Sequence, residues 1–140
     1  MIRKLQMEHI DRVAEIWLDT NVKAHHFIPS QYWMDHFTMV KEQLALAEVY
    51  VYESKGDILG FIGMVDDYIA GIFVWEQAQS NGIGKELLEF AKRLKEKLRL
   101  NVYQKNVRAV KFYQREGFTI LHEGYDENTK EKDYLMGWTQ

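Results

Sequence analysis

The 140-residue sequence predicts a mixed α/β domain with seven strands and four helices in the order β-α-α-β-β-β-α-β-α-β-β. Two patterns carry this expectation. Apolar residues recur at helical spacing in four stretches, and strand-length runs rich in β-branched and aromatic residues lie between them, separated by turn residues. Composition agrees: 46% hydrophobic and 28% charged residues, with one proline, describe a globular chain of single-domain size, residues 1–140.

Ile2 to Leu5 suits a short first strand. Ile10, Val13, Ala14 and Trp17 form the apolar stripe of a first helix, and Trp33, Phe37, Val40 and Leu44 that of a second. Pro29 breaks the helical pattern between them. Val49 to Glu53 and Ile58 to Val65 flank the turn Lys55-Gly56-Asp57 and predict a hairpin. Asp66 and Asp67 mark the next turn, and Ile69 to Val74 a third strand of the group. A long helix is expected with Ile83, Leu87, Ala91, Leu94 and Leu98 on one face, then a short strand from Leu100 to Tyr103. Val107 to Arg115 predicts a short helix closed at Gly117, and Phe118 to Glu123 and Tyr134 to Trp138 the last strands.

Several function classes drop out. No run of about 18 apolar residues is present, so no membrane span is expected. The start lacks the pattern of a secretory leader, and the absence of cysteine removes disulfide, thiolate and Cys-zinc chemistry; a cytoplasmic enzyme is expected. Net charge is -3, and the basic run Lys92, Arg93, Lys95, Lys97 and Arg99 is interrupted by Glu96 on an amphipathic helix. It reads as a solvated face, and no nucleic-acid partner is expected. His25 and His26 are adjacent without a third ligand, so no metal site is expected.

Gln79-Ser80-Asn81-Gly82-Ile83-Gly84 lies between a strand and the long helix. Glycines let a ligand approach bare backbone, and a helix N-terminus offers unpaired N–H groups to an anion. The same residues also make an ordinary strand-to-helix turn. A dinucleotide fingerprint requires glycine where Leu87 stands, and a P-loop requires glycine at Gln79 and a hydroxyl at Glu86, so neither applies.

With the loop and a second segment, Asn106 to Phe118, the sequence resembles the GNAT superfamily of N-acetyltransferases. Gln79, Gly82 and Gly84 match that family's (Gln or Arg)-x-x-Gly-x-(Gly or Ala) pattern, and Asn106, Ala109, Phe112, Tyr113, Gly117 and Phe118 match its Asn-x-x-Ala-x-x-Phe-Tyr-x-x-x-Gly-Phe run. The resemblance implies a central, mostly antiparallel mixed sheet with helices on its faces, and acetyl-CoA as cosubstrate. It implies that backbone groups of Ile72, Phe73 and Val74 pair with the pantetheine arm, and that Gln79, Ser80, Asn81, Gly82, Ile83 and Gly84 hold the pyrophosphate, with Lys85 beside it. Asn106 would bond the pantetheine and Tyr113 would protonate the departing thiolate, as a phenol can. Tyr113 also fits as core filling beside Phe112, and Asn106 as an N-cap. A weaker likeness, through His26, Phe27, Ile28, Tyr32 and Trp33, is to small bacterial members, some of them protein-lysine acetyltransferases.

Two positions depart from the family. Ser80 and Asn81 stand where basic residues are frequent, which leaves the phosphates to the helix dipole, Lys85, Arg108 or Lys111. Asn101 stands where many members carry glutamate, so no motif selects a base. Glu76, Asp66, His25, His26 and His36 remain candidates, and loss of the amine's proton to solvent is the expectation. His26, Phe27, Tyr32 and Trp33 are the expected acceptor wall, or simply a loop that tucks aromatics into the core. The amine acceptor is open among proteins, peptides and small molecules, and a monomer or homodimer is expected. A catalytically silent acyl-CoA-binding module on the same fold is the alternative.

Overall fold

A computed structural model describes residues 1–140. One seven-stranded sheet organises it: β1 (Ile2–Lys4), β2 (Glu48–Ser54), β3 (Asp57–Val65), β4 (Tyr68–Val74), β5 (Lys97–Tyr103), β6 (Thr119–Tyr125) and β7 (Lys132–Thr139). Their spatial order is β1-β2-β3-β4-β5-β7-β6. Every neighbouring pair is antiparallel except β4 and β5.

Helices cover both faces, so the inner strands read as alternating deposits into two cores. On one face, α1 (Ile10–Ala24), α2 (Ser30–Asp35) and α3 (Phe37–Leu46) bury Val13, Ile16 and Trp17 against Val49, Val51 and Phe61. On the other, α4 (Ile83–Leu94) and α5 (Val107–Arg115) bury Leu87, Leu88 and Val110 against Ile62, Met64, Leu98 and Leu100. Phe61 and Ile62 are adjacent and face opposite cores, as the two-residue period of a strand requires.

Two expectations change. The second helix divides at His36, giving five α-helices instead of four. His36 Nδ1 lies 2.6 Å from the Tyr32 carbonyl, and its own N–H reaches back only to Trp33, so the ladder tightens into a turn there. The long helix stops at Leu94, and Leu98 belongs to β5. Leu98 fits both a helical step from Leu94 and a strand step from Leu100. Pairing of Lys97 to Tyr103 with Thr139 to Asp133 settles the choice. Leu94 is consequently 47% exposed, and Leu88 takes the core position instead. The basic run is divided as well: Lys97 and Arg99 lie on the strand, and Lys95 pairs with Glu48 at 2.9 Å.

Candidate active site

The site begins with a fault in the sheet. Gly63 pairs with Gly71 and Met64 with Ile69, which leaves Ala70 as an extra residue in β4. Such a bulge bends the strand that carries it. β4 and β5 pair only at Tyr68–Arg99 and Ile69–Leu100, and then part. Beyond that point β4 keeps β3 on one side, β5 keeps β7 on the other, and the edges between them are open. A cavity of about 320 Å³ fills the gap, lined by Gly71, Ile72 and Phe73 of β4 and by Asn101, Val102 and Tyr103 of β5.

The glycine loop follows β4. Gly82 adopts a left-handed conformation (φ 79°) and precedes α4, and an added Cβ there would meet nothing within 4 Å. No side chain caps this helix start, so its first N–H groups face outward unmet. Ser80 is also left-handed (φ 67°), and the side chains on either side of it brace the turn. Gln79 donates to the Val74 carbonyl at 3.0 Å and Asn81 to that of Ala78 at 3.1 Å. Arg108 of α5 donates to Gln79 Oε1 at 3.2 Å and to Ser80 Oγ at 3.4 Å. The cation absent from the loop sequence is thus brought to it by another helix.

Asn106 caps α5: its Oδ1 accepts from the Ala109 N–H at 3.3 Å. That orients the amide so that Nδ2 donates to His25 Nε2 at 3.2 Å. The imidazole proton therefore sits on Nδ1, which is buried and has no partner. Burial lowers the His25 pKa to about 4, so the ring is neutral at pH 7. Tyr113 reaches the same cavity from α5, packed against Phe112 and Phe118. Burial pushes its phenol above the ordinary value. The phenol therefore keeps its proton at neutral pH, and its hydroxyl makes no hydrogen bond within the chain.

Of the expected acceptor wall, Trp33 lines the cavity, whereas His26, Phe27 and Tyr32 do not. Phe27 stands behind, edge-on to His25 and Tyr103, and Tyr32 packs on Trp33. His26 is exposed. Lys85 is exposed on the first turn of α4, and Ile83 is buried under it. Among the candidate bases only His25 reaches the cavity. Glu76 pairs with Lys23, and Asp66 stays in its turn with φ 55°. Asn101 accepts from the Tyr68 hydroxyl at 2.7 Å. Sequence reasoning missed Trp17, Asn21, Tyr68, Asp126 and Asp133, all of which line the cavity. No local signal marks them, because the packing of α1, the β4–β5 and β5–β7 pairings and the Tyr103–Asp126 hydrogen bond bring them in.

Comparison with known proteins gives consistent matches. Residues 45–120 match the family described as an acetyltransferase (GNAT) domain. The chain is 35% identical over 140 residues to the peptidyl-lysine N-acetyltransferase YiaC of Escherichia coli, covering 99% of this chain and 96% of that one. Apo-form YjaB from Escherichia coli superposes with a TM-score of 0.87 at 22% identity, over 99% of this chain and 96% of that chain. yncA from Salmonella typhimurium, solved with its cofactor acetyl-CoA, gives 0.69 at 17% identity, over 99% and 92%. At those identities the two structures speak for the fold.

Proposed function

The chain belongs to the GNAT acetyltransferases and moves acetyl from acetyl-CoA to a primary amine, and on that premise we propose that its acceptor is the side-chain amine of a protein lysine. The observation that carries the site assignment is the open edge of β4. It leads from the cavity lined by Tyr113 toward the glycine loop. Ile72, Phe73 and Val74 offer backbone groups to the pantetheine as an added strand would. Gln79 to Gly84 offer N–H groups to the pyrophosphate, with Lys85 and Arg108 supplying charge. Asn106 keeps one amide hydrogen free beside the one given to His25, and that hydrogen serves the pantetheine.

Acetyl-CoA supplies an acetyl group activated as a thioester. The amine nitrogen forms the new C–N bond as the C–S bond breaks, and Tyr113 gives its hydroxyl proton to the sulfur. A lysine acceptor is supported by the name of the relative YiaC. It is also supported by Trp17, Trp33 and Tyr103 and the carboxylates Asp126 and Asp133, which suit a cationic chain. His26, Phe27 and Tyr32 serve the surrounding peptide. In this reading residues 1–140 work as one domain, monomer or homodimer, in the cytoplasm and without nucleic-acid or membrane partners. A net charge of -3 gives no general attraction to nucleic acid.

Peptides with one free lysine, peptides with only a free α-amine, and polyamines, each incubated with acetyl-CoA, test the acceptor. Mass spectrometry should place acetyl on the lysine Nε. Transfer confined to α-amines or polyamines would overturn the lysine reading.

A further inference from the structure

An alkylammonium with pKa ~10.4 is neutral in only about one molecule in 2,500 at pH 7, so the acceptor must lose a proton before it attacks. Asn101 cannot take it. His25 Nε2 is occupied by Asn106, and Asp66, Glu76, His26 and His36 lie outside the cavity. Two carboxylates remain in the wall, and they differ. Asp126 is fully engaged: Oδ2 accepts from the Tyr103 hydroxyl at 2.8 Å, and Oδ1 from the backbone N–H of Asn128 at 2.8 Å and of Thr129 at 3.4 Å. Asp133 stands opposite Tyr103 in the β5–β7 register, hence on the same face of the sheet. Its carboxylate makes no hydrogen bond or ion pair within the chain, although it is half-buried.

We propose that Asp133 is a catalytic residue of this enzyme, binding the acceptor ammonium in the β4–β5 gap and taking its proton, a role that rests on the lysine-acceptor reading above. A carboxylate on the cavity wall with no partner within the chain is free to pair with an incoming cation. Trp33 and Tyr103 line the same cavity and offer ring faces to a cation.

Gln104, just after β5, donates to the Asp133 carbonyl of β7 at 3.1 Å and to Glu123 of β6 at 3.3 Å, which ties the end of β5 to both of those strands. The charged and titratable groups around Asp133 are Asp126, His122, Glu123, Tyr103, Tyr68 and, across the cavity, His25. Burial first, and then the charge of Asp126, raise the Asp133 carboxyl above the ordinary aspartate value. That makes it a better proton acceptor than a free carboxylate.

The step balances. One ammonium proton passes to Asp133, and the freed lone pair forms the C–N bond as the C–S bond breaks. Tyr113 protonates the sulfur and recovers the second amine proton, while Asp133 releases its own to solvent.

Asp133→Asn and Asp133→Glu, each checked by thermal melting and by calorimetric CoA titration, provide the test. The readout is kcat/KM against pH with two amines of different pKa. Wild type should show one inflection common to both amines. Asp133→Asn should lose on the order of 10²-fold at pH 7, recover as pH approaches each amine's own pKa, and bind CoA unchanged. Asp133→Glu should keep the shared inflection. An Asp133→Asn profile that overlays wild type, or a uniform loss that high pH does not restore, would overturn the assignment. If lysine peptides are not acetylated, the lysine reading fails, and the profile is taken with whichever amine is accepted. A shared inflection lost in Asp133→Asn would still support the base.

Discussion

The Asn106 side-chain amide donates to His25 Nε2 at 3.2 Å, joining residues 81 positions apart across the cavity. One asparagine thereby caps α5 and fixes the tautomer of the histidine that ends α1. The N-cap and the cavity wall are coupled through a single side chain.

Replacing Asn106 by aspartate separates those two roles. Aspartate still caps the helix but can bond the ring only if the ring donates. The His25 pKa should rise from about 4 in Asn106→Asp, because a carboxylate beside the ring favours the imidazolium, and the imidazole carbon-proton shifts in an NMR titration follow it. A value that stays near 4 would mean that the contact does not control the ring.

His25 itself should tie stability to pH. Its folded pKa is lowered from 6.5 to about 4, so the unfolded chain takes the proton first as pH falls. Stability is then complete above about pH 6.5 and declines toward pH 4, with about 2 kcal/mol lost by pH 5. His25→Gln keeps an acceptor for Asn106 and removes the titration. Urea unfolding at pH 7 and pH 5 should show this decline in wild type and its absence in the variant.

Gly82 lies in the left-handed region with open space around it. Gly82→Glu adds strain, bulk and negative charge where the helix start offers bare N–H groups. CoA affinity measured by calorimetry should fall at least 10²-fold in a folded protein. Arg108→Ala, which unbraces the loop without blocking it, should weaken binding by about 1 to 2 kcal/mol.

Tyr113→Phe removes the only feature that distinguishes a proton donor from a packed ring. kcat should fall by roughly 10²-fold with CoA affinity and melting temperature little changed. A kcat within about twofold of wild type would leave Tyr113 a core residue.

Much of this was legible in the sequence because it is encoded locally. The alternation of Val49 and Val51, the turn at Lys55-Gly56, the glycine loop and the Asn106 cap each depend on residues within one turn or one strand of themselves. Tertiary structure decided what depended on partners distant in the chain. Leu98 suited helix or strand until β7 paired with it, and His36 interrupted a continuous apolar stripe by bonding the Tyr32 carbonyl. Asp133 carries no local mark at all. It joins Tyr103, Trp33 and Tyr113 only because the Ala70 bulge parts β4 from β5 while β7 holds its register. Local rules set which residues form an element. Only the closure of the sheet sets which of them share a cavity, because register and splay are properties of strand pairs and not of any one strand.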